Sequence, residues 1–384
     1  MPLPDPLSMA REEQLLELAH DLAALFARWS DAAEAQGGLP PEVVAGLKAS
    51  RYPALTVPRS LGGLGASLHE FALAQEVLGR ADTSMALVAA MNAHLLGGLG
   101  EHGGWPHEVY AQLCQASAQH GALSNSLASE SELGSPSRGG LPRTRAERVE
   151  GGWRLTGRKT WATGARALDF YVVSATTPED TVWRFVVAAG SPGVRIEDTW
   201  DGALALRGSG SHDVVFEEVF VPGELAVPPA PVSPTSGAWF WTAVAATYLG
   251  TGQGALDRLV LYARERVPTA LGQPISTLPR IQATVGEMSL TLLQARALLH
   301  TVTRAWADPQ RRAELLPALA GAKLACTNAA VHVTDLALRA AGGAALGRSL
   351  DLERRFRDAR AGLMHPPADD QALRRLGEAL LTDP

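Results

Sequence analysis

The residues of this chain best suited to chemistry lie in the stretch WRLTGRKTWATGARALDF, which runs from Trp153 to Phe170. Its first residues alternate between apolar and polar side chains, as in a half-buried β-strand. Trp161 follows, with Thr163 two residues later. An indole can lie flat beside a planar ring, and a hydroxyl can form a hydrogen bond with the polar edge of that ring. The pattern therefore predicts either one wall of a site for a flat cofactor or a twisted strand edge that ends in a Thr-Gly turn.

A longer segment, LTGRKTWATGARALDFYVV, resembles the middle-domain signature of the acyl-CoA dehydrogenase family, in which a run of the form NGxKxWITN precedes a strand. In that family the tryptophan flanks a flavin, and the threonine two residues later bonds the flavin edge. The resemblance implies these two roles for Trp161 and Thr163. Ala162, which lies between them, adds no further hydroxyl to this wall.

The segment before this signature, residues 121–140, is rich in Ser, Gly and acidic residues, and this composition predicts a loop. In the family a Thr-Glu-Pro-x-x-Gly-Ser stretch lies here, and the chain aligns loosely with it through Ser129-Glu130 and Gly134-Ser135. The resemblance implies that Ser129 contacts the flavin and that Ser135 approaches coenzyme A. The alternative is that Ser129 is an exposed loop serine without a ligand.

The order of the elements agrees with the resemblance, which extends over roughly residues 12–380. Apolar residues recur at three- and four-residue steps before residue 120 and again from Ala238 onward, whereas residues 142–222 alternate as strands do. The segment LALRGSGSHDVVFEEVFVP is similar to the closing strands of the family's middle domain. The expected fold is α+β and multidomain, with a helical N-terminal domain (1–120), a central β-barrel or sandwich domain (121–232) and a C-terminal four-helix bundle (233–384).

The resemblance also implies a cofactor and an oligomer. YARER, residues 262–266, resembles the family's YALER, whose arginine reaches FAD phosphates across a dimer interface, so Arg266 takes that role. The pair Gly342-Gly343 matches a GGxG motif whose backbone approaches the FAD of a neighbouring subunit, although glycine also ends helices routinely. A homodimer or homotetramer is therefore expected. Because the residues after Arg266 depart from the family pattern, FMN is an alternative to FAD.

The catalytic base of the family is missing from its usual places. Dehydrogenation of an acyl-CoA needs a carboxylate that removes a proton while hydride leaves to the flavin. Most relatives carry that glutamate in a run like RDAKxxxIYEGT, and here the position falls on Pro366. The other position used in the family is close to Phe240. Asp369 and Asp370 lie a few residues later and are either substitutes for the base or acids that cap a helix.

The same C-terminal run resembles the family's flavin-dependent monooxygenases, in which RDxRxxxxHxP replaces the glutamate motif. There a histidine near the flavin assists the reaction of reduced flavin with oxygen, and a second histidine from the first domain often helps. The resemblance implies these roles for His365 and His94, with a separate flavin reductase as partner. The alternative for His94 is a hydrogen-bonded helix histidine. Histidine suits proton transfer because its charge changes near neutral pH.

Composition excludes several other classes of function. The net charge of −6, from 34 basic and 40 acidic residues, argues against a nucleic-acid surface. Two cysteines and the absence of metal-ligand spacing predict neither a disulfide framework nor a metal site. The polar N-terminus and the lack of a long apolar run favour a cytoplasmic protein without a membrane segment. Three hypotheses remain: an acyl-CoA dehydrogenase-like enzyme with a displaced or missing base, a reduced-flavin monooxygenase, and a catalytically silent flavin- or acyl-CoA-binding protein.

Overall fold

A computed structural model describes residues 6–133 and 140–381, with the side chains of residues 6–10 excepted. The N-terminal part is helical, and its capping residues explain where helices begin. Pro41 occupies the first turn of its helix, where a missing N–H costs nothing. Ser67 and Glu70 form a reciprocal capping box, as expected for Ser67. The five helices are α1 (Pro6–Gln36), α2 (Pro41–Ala49), α3 (Leu68–Ala81), α4 (Thr83–His102) and α5 (His107–His120).

The central part is a single mixed sheet of eight strands in the order β6-β7-β3-β2-β4-β5-β8, with β1 also paired to β4. β1 and β2 run parallel to β4, and the other neighbouring strands are antiparallel. The strands are β1 (Ser124–Leu127), β2 (Arg145–Val149), β3 (Gly152–Lys159), β4 (Phe170–Thr176), β5 (Val182–Ala188), β6 (Val194–Glu197), β7 (Asp213–Pro222) and β8 (Ala226–Val227).

One sequence expectation is wrong here: the segment 121–140 is not a continuous loop, because Ser124–Leu127 forms β1. This strand is only four residues long and reads Ser-Asn-Ser-Leu, which is a composition typical of a loop. Its pairing with β4 comes from tertiary context rather than from local propensity. Asn92 of α4 supplies part of that context, since its Oδ1 accepts a hydrogen bond of 2.9 Å from the backbone N–H of Ser124.

The C-terminal part consists of three long helices and two shorter ones. They are α6 (Ala238–Glu265), α7 (Pro279–Ala305), α8 (Arg312–Ala341), α9 (Leu352–Ala361) and α10 (Asp369–Leu381). Nearly all residues of the periodic apolar stripes on α7 and α8 are buried, and Cys326 is a buried free thiol, as expected. Within the described ranges, no helix combines the length and apolarity needed to cross a bilayer.

Helix α6 lies at the centre of the molecule and touches α3 backbone to backbone. A Cβ atom added at Gly79 of α3 would lie 2.2 Å from the carbonyl oxygen of Thr247 on α6. A Cβ added at Gly250 would lie 2.2 Å from the carbonyl oxygen of Glu76. Both distances are too short for any real contact, so only glycine permits this approach. The crossing joins the first and last helical regions.

Ion pairs join α9 to the N-terminal helices, and a hydrogen bond joins it to the sheet region. Arg354 pairs with Asp31, and Arg357 pairs with Glu34, each at 2.7 Å. The backbone N–H of Leu206, which follows β6, donates to the buried carboxyl of Asp358 at 2.7 Å. Arg355 of the same helix pairs with Asp351 at 2.9 Å. α9 therefore holds all three regions in one arrangement.

We expect Gly250→Ala to lower the free energy of unfolding by about 3 kcal/mol, because the added methyl group forces two helix backbones apart. Gly377→Ala on α10 is the matched control, since a Cβ there meets nothing within 4 Å. That substitution should raise stability by up to about 1 kcal/mol through helix propensity. Urea unfolding curves of both variants provide the comparison. Equal effects from the two alanines would contradict the close contact between α3 and α6.

Candidate functional site

The turn after β3 exposes Trp161 and buries Thr163. Trp161 has a φ of 56° and 55% of its surface exposed, which is a rare combination for a bulky residue. Backbone hydrogen bonds from Ala162 to His212 and from Gly164 to Ser209 hold the turn in this conformation. The Thr163 hydroxyl accepts a hydrogen bond of 3.2 Å from Ser211, so its own proton is available to another acceptor. An exposed indole beside an available hydroxyl fits the edge of a flat, polar ring.

Ser129 lies beside this turn, as the flavin-wall hypothesis requires. The backbone N–H of Thr160 donates to the Ser129 carbonyl at 3.0 Å, and the Ser129 residue is only partly buried. The neighbouring residues Glu130 and Lys159 form a buried ion pair of 2.7 Å. Burial raises the pKa of Glu130, but hydrogen bonds from Lys159 and Thr144 outweigh burial and leave this pKa below its usual value. The ion pair therefore connects the end of β3 to the segment that contains Ser129.

The other serine proposed from the resemblance, Ser135, lies outside the described residues together with Gly134. Two other proposed residues, His94 and His365, come together around one aromatic ring. The centroid of the His94 ring lies 5.1 Å from that of Phe240, and the centroid of the His365 ring lies 6.0 Å from the same ring. Both contacts are edge-to-face. α4, α6 and the turn after α9 thus each contribute one ring.

The two histidines differ in their hydrogen bonds. The Nε2 atom of His365 lies 3.2 Å from the hydroxyl of Tyr248, which is fully buried on α6. The ring nitrogens of His94 form no hydrogen bond with any described residue, which argues against a hydrogen-bonded helix histidine. Burial lowers the pKa of His94 to about 4. Burial, and to a lesser extent the charge of Lys323, lowers the pKa of His365 to about 4. Both imidazoles are therefore neutral at pH 7.

The carboxylates nearest in sequence lie at the start of α10. Asp369 and Asp370 occupy its first turn, where acidic residues are favourable beside the helix N-terminus. The Oδ2 atom of Asp369 accepts a hydrogen bond of 3.0 Å from Asn328, while its Oδ1 atom is buried and has no partner among the described residues. No carboxylate in the described ranges pairs with His94 or His365.

The residues proposed for the phosphate end of a cofactor lie at another place in the bundle. Arg266 follows the last residue of α6, is exposed and forms no side-chain hydrogen bond or ion pair within the described ranges. Gly342 ends α8 with a φ of 66°, which supports the helix-cap interpretation. Gly343 is exposed, and a Cβ there meets nothing within 4 Å. Ala340 packs against the cluster of Ala263, Ile275 and Ile281, which brings the ends of α6 and α8 together.

Sequence reasoning missed Tyr248 and Lys323. Tyr248 is eight residues after Phe240, so the two lie on one face of α6. Lys323 interrupts the apolar stripe of α8 between Leu319 and Cys326 and is fully buried. A charged residue at a core position is a detectable signal, since buried ammonium groups need a reason. The described residues contain no cluster of His, Cys, Asp and Glu that could hold a metal ion.

Comparison with known proteins assigns the chain to a family. Three family models match it: the N-terminal domain of acyl-CoA dehydrogenases over residues 10–104, the middle domain over 126–219 and the C-terminal domain over 242–369. The chain belongs to the acyl-CoA dehydrogenase family. It is 38% identical over 371 residues to a Bacillus subtilis (strain 168) protein that carries the provisional name acyl-CoA dehydrogenase YdbM, and the alignment covers 95% of this chain and 96% of that one.

Two solved structures share the fold of this chain. Butyryl-CoA dehydrogenase from Megasphaera elsdenii superposes with a TM-score of 0.83 at 22% identity and covers 100% of both chains. Dibenzothiophene monooxygenase TdsC from Paenibacillus sp. A11-2, which has also been solved with FMN bound, superposes with a TM-score of 0.83 at 22% identity over 96% of this chain and 97% of that one. These superpositions confirm the expected three-domain fold.

We expect the double variant Trp161→Ala with Thr163→Ala to bind flavin at least about tenfold more weakly, because it removes a stacking surface and a hydrogen-bond donor. Flavin retained through gel filtration, and titration of the flavin-free protein, measure the effect. Trp183→Ala is the control, since Trp183 lies in the same sheet beside Trp153, away from the turn. Full retention of flavin by the double variant would refute the placement of the cofactor wall.

Proposed function

We propose that this protein is a flavin-dependent monooxygenase that uses reduced flavin from a separate reductase, rather than an enzyme that dehydrogenates an acyl-CoA. The observation that carries this proposal is the contact of both His94 and His365 with the ring of Phe240. By the resemblance, the two positions at which the family carries a catalytic carboxylate fall at Pro366 and close to Phe240, and neither side chain can accept a proton. The groups around Phe240 that can still take part in proton transfer are the neutral imidazoles of His94 and His365.

A bound flavin, once reduced, supplies the electrons that activate oxygen. Trp161, Thr163 and Ser129 are the residues that would hold its ring system. An exposed arginine without an ion-pair partner, Arg266, is suited to a phosphate group by charge-assisted hydrogen bonds. Either FAD or FMN satisfies these contacts. FAD additionally requires that Gly342 and Gly343 of a neighbouring subunit approach its adenine half.

The two imidazoles have different tasks in this proposal. The Tyr248 hydroxyl, whose pKa burial raises well above its usual value, stays protonated and donates to Nε2 of His365. This hydrogen bond fixes the His365 ring and leaves its Nδ1 atom to carry the proton. His94 has no such anchor and can donate or accept through either nitrogen. Phe240 keeps the space between them apolar, which limits access of water to the reacting oxygen.

A second candidate function rests on Asp369. Its buried Oδ1 atom has no hydrogen-bond partner among the described residues, and a buried unsatisfied carboxylate is costly unless it has a task. Asp369 could therefore serve as a displaced base in the dehydrogenation of an acyl-CoA. Its hydrogen bond with Asn328 and its position in the first turn of α10 also explain it as a structural residue.

One pair of variants separates these functions. Flavin-loaded protein is first mixed anaerobically with a panel of saturated acyl-CoA esters, and then chemically reduced protein is mixed with oxygen. We expect no bleaching of the visible spectrum by the esters. We expect reoxidation in at least two kinetic phases for the wild type. His365→Ala should lose the slower phase while retaining flavin, because proton transfer to activated oxygen is impaired.

Asp369→Asn is the matched control and should behave like the wild type in both measurements. Bleaching by an ester that disappears in Asp369→Asn would instead establish the dehydrogenase and identify its base. Absence of bleaching together with single-phase reoxidation, equal to that of free flavin, would leave only a catalytically silent binding protein. Unchanged reoxidation phases in His365→Ala would rule out the role given to His365.

We also propose that the chain forms a homo-oligomer. α7 carries a second apolar face opposite its buried one, with the 4-3-4 spacing that helices use to pack against one another. Leu290 and Leu293 on this face are 56% and 58% exposed. Their neighbours Gly286 and Ala297 are small and also exposed, so another helix can approach closely. A second copy of the chain supplies the same face, as closed symmetry requires.

We expect the double variant Leu290→Glu with Leu293→Glu to dissociate the oligomer, because it introduces like charges into a self-complementary apolar contact. Sedimentation velocity compares its mass with that of the wild type. Leu380→Glu with Leu381→Glu, at the exposed end of α10, is the control and should leave the mass unchanged. A wild type that sediments as a monomer would exclude this interface.

A further inference from the structure

A lysine lies in the hydrophobic core beneath the segment that carries His365. Lys323 of α8 has no exposed surface, and the one hydrogen bond of its ammonium to the described residues is to the carbonyl oxygen of Pro367, at 3.1 Å. A carbonyl dipole compensates poorly for the lost hydration of a full charge. The neighbouring stripe positions, Leu319 and Cys326, are filled by ordinary core residues. The lysine therefore needs an explanation beyond packing.

The segment from Gly362 to Ala368 lies between α9 and α10 and has no regular helix or strand structure. A Cβ at Gly362 would lie 3.0 Å from the Tyr248 ring, so the segment lies flat against α6 at that point. The Tyr248 hydroxyl holds the His365 ring, and Asn328 holds Asp369 at the start of α10. Between His365 and Asp369, the ammonium of Lys323 donates a hydrogen bond to the backbone of the turn, at the carbonyl oxygen of Pro367.

We infer that Lys323 is a positioning residue for His365: its buried ammonium fixes the Pro367 carbonyl and thereby aims the His365 imidazole at Tyr248 and Phe240. This inference rests on the proposed function, in which His365 transfers the proton. Only Pro366 separates Pro367 from His365, so a change in the direction of this carbonyl turns the imidazole as well. Tyr248 alone fixes one end of the ring, whereas Tyr248 and Lys323 together fix both the ring and its backbone.

The charge of Lys323 has a second consequence for the same ring. Burial lowers the pKa of Lys323 to about 8, and nearby Asp369 partly opposes this effect, so the lysine is mostly protonated at pH 7. Its charge disfavours a proton on His365 and acts in the same direction as burial. The other titratable groups close to this turn are Tyr248 and, near it, Asp358. Lys323 thus aims the imidazole and also keeps it neutral.

The test compares Lys323→Met, which removes both donor and charge, with Lys323→Gln, which keeps a donor for Pro367. Histidine Cε1 atoms are labelled with ¹³C in the full chain, and the His365 signal is assigned by its loss in His365→Gln. We expect the His365 signal of Lys323→Met to move and its pKa to rise from about 4 toward the ordinary value of about 6.5. Lys323→Gln should keep the wild-type signal position at high pH but show the raised pKa.

Thr303→Val is the control, because it removes a buried hydroxyl from α7 that bonds Leu299 and His69 rather than any residue of the turn. It should leave the His365 signal and pKa unchanged. A merely structural lysine would lower the melting temperature of both variants without altering the His365 signal, and that result overturns the inference. If Lys323→Met does not fold, the result for Lys323→Gln is used alone. An unchanged His365 pKa in Lys323→Gln also overturns the inference. Because this readout needs no turnover, it is independent of whether His365→Ala loses the slow phase of reoxidation.

Discussion

The backbone contact between α3 and α6 is the constraint on which the rest of this structure depends. Gly79 and Gly250 let the two helices touch, and each lacks the Cβ that would prevent it. α4 begins two residues after α3 ends and is therefore drawn against α6 as well. That packing places His94 of α4 opposite Phe240 of α6. A residue on the first helical region and a residue of the last one can share a site only because this crossing is so close.

Local patterns predicted most of the elements, because their apolar faces repeat with the period of the element that buries them. The apolar stripes of α7 and α8 are of this kind. β1 could not be predicted, since Ser124–Leu127 has no apolar alternation and becomes a strand through the edge of β4 and Asn92. The close glycine contact was equally invisible, because glycine in a helix has several possible causes and only the partner helix identifies one.

In the candidate site, too, some residues could be predicted from the sequence and others could be found only from the structure. Resemblance indicated Trp161, Thr163, Ser129 and the two histidines, and the structure brings these residues together in two groups, one at the sheet and one at α6. Resemblance did not indicate the groups that support them. The ion pair between Glu130 and Lys159 is formed by residues 29 positions apart, and Tyr248 meets His365 from 117 positions away. Such partners are determined by the packing of the fold, and their spacing along the sequence does not predict them.

Phenylalanine at position 240 gives the site two properties that a carboxylate there would not give. Its side chain cannot take a proton from an acyl-CoA. It also brings no negative charge that would raise the pKa of both neighbouring histidines and favour their protonated forms. With an apolar ring between them, His94 and His365 are instead desolvated and neutral, each with a pKa of about 4. The absence of a carboxylate at Phe240 and the neutral state of the two imidazoles therefore have a single physical origin, the apolar ring of Phe240, and the positive charge of Lys323 acts in the same direction at His365.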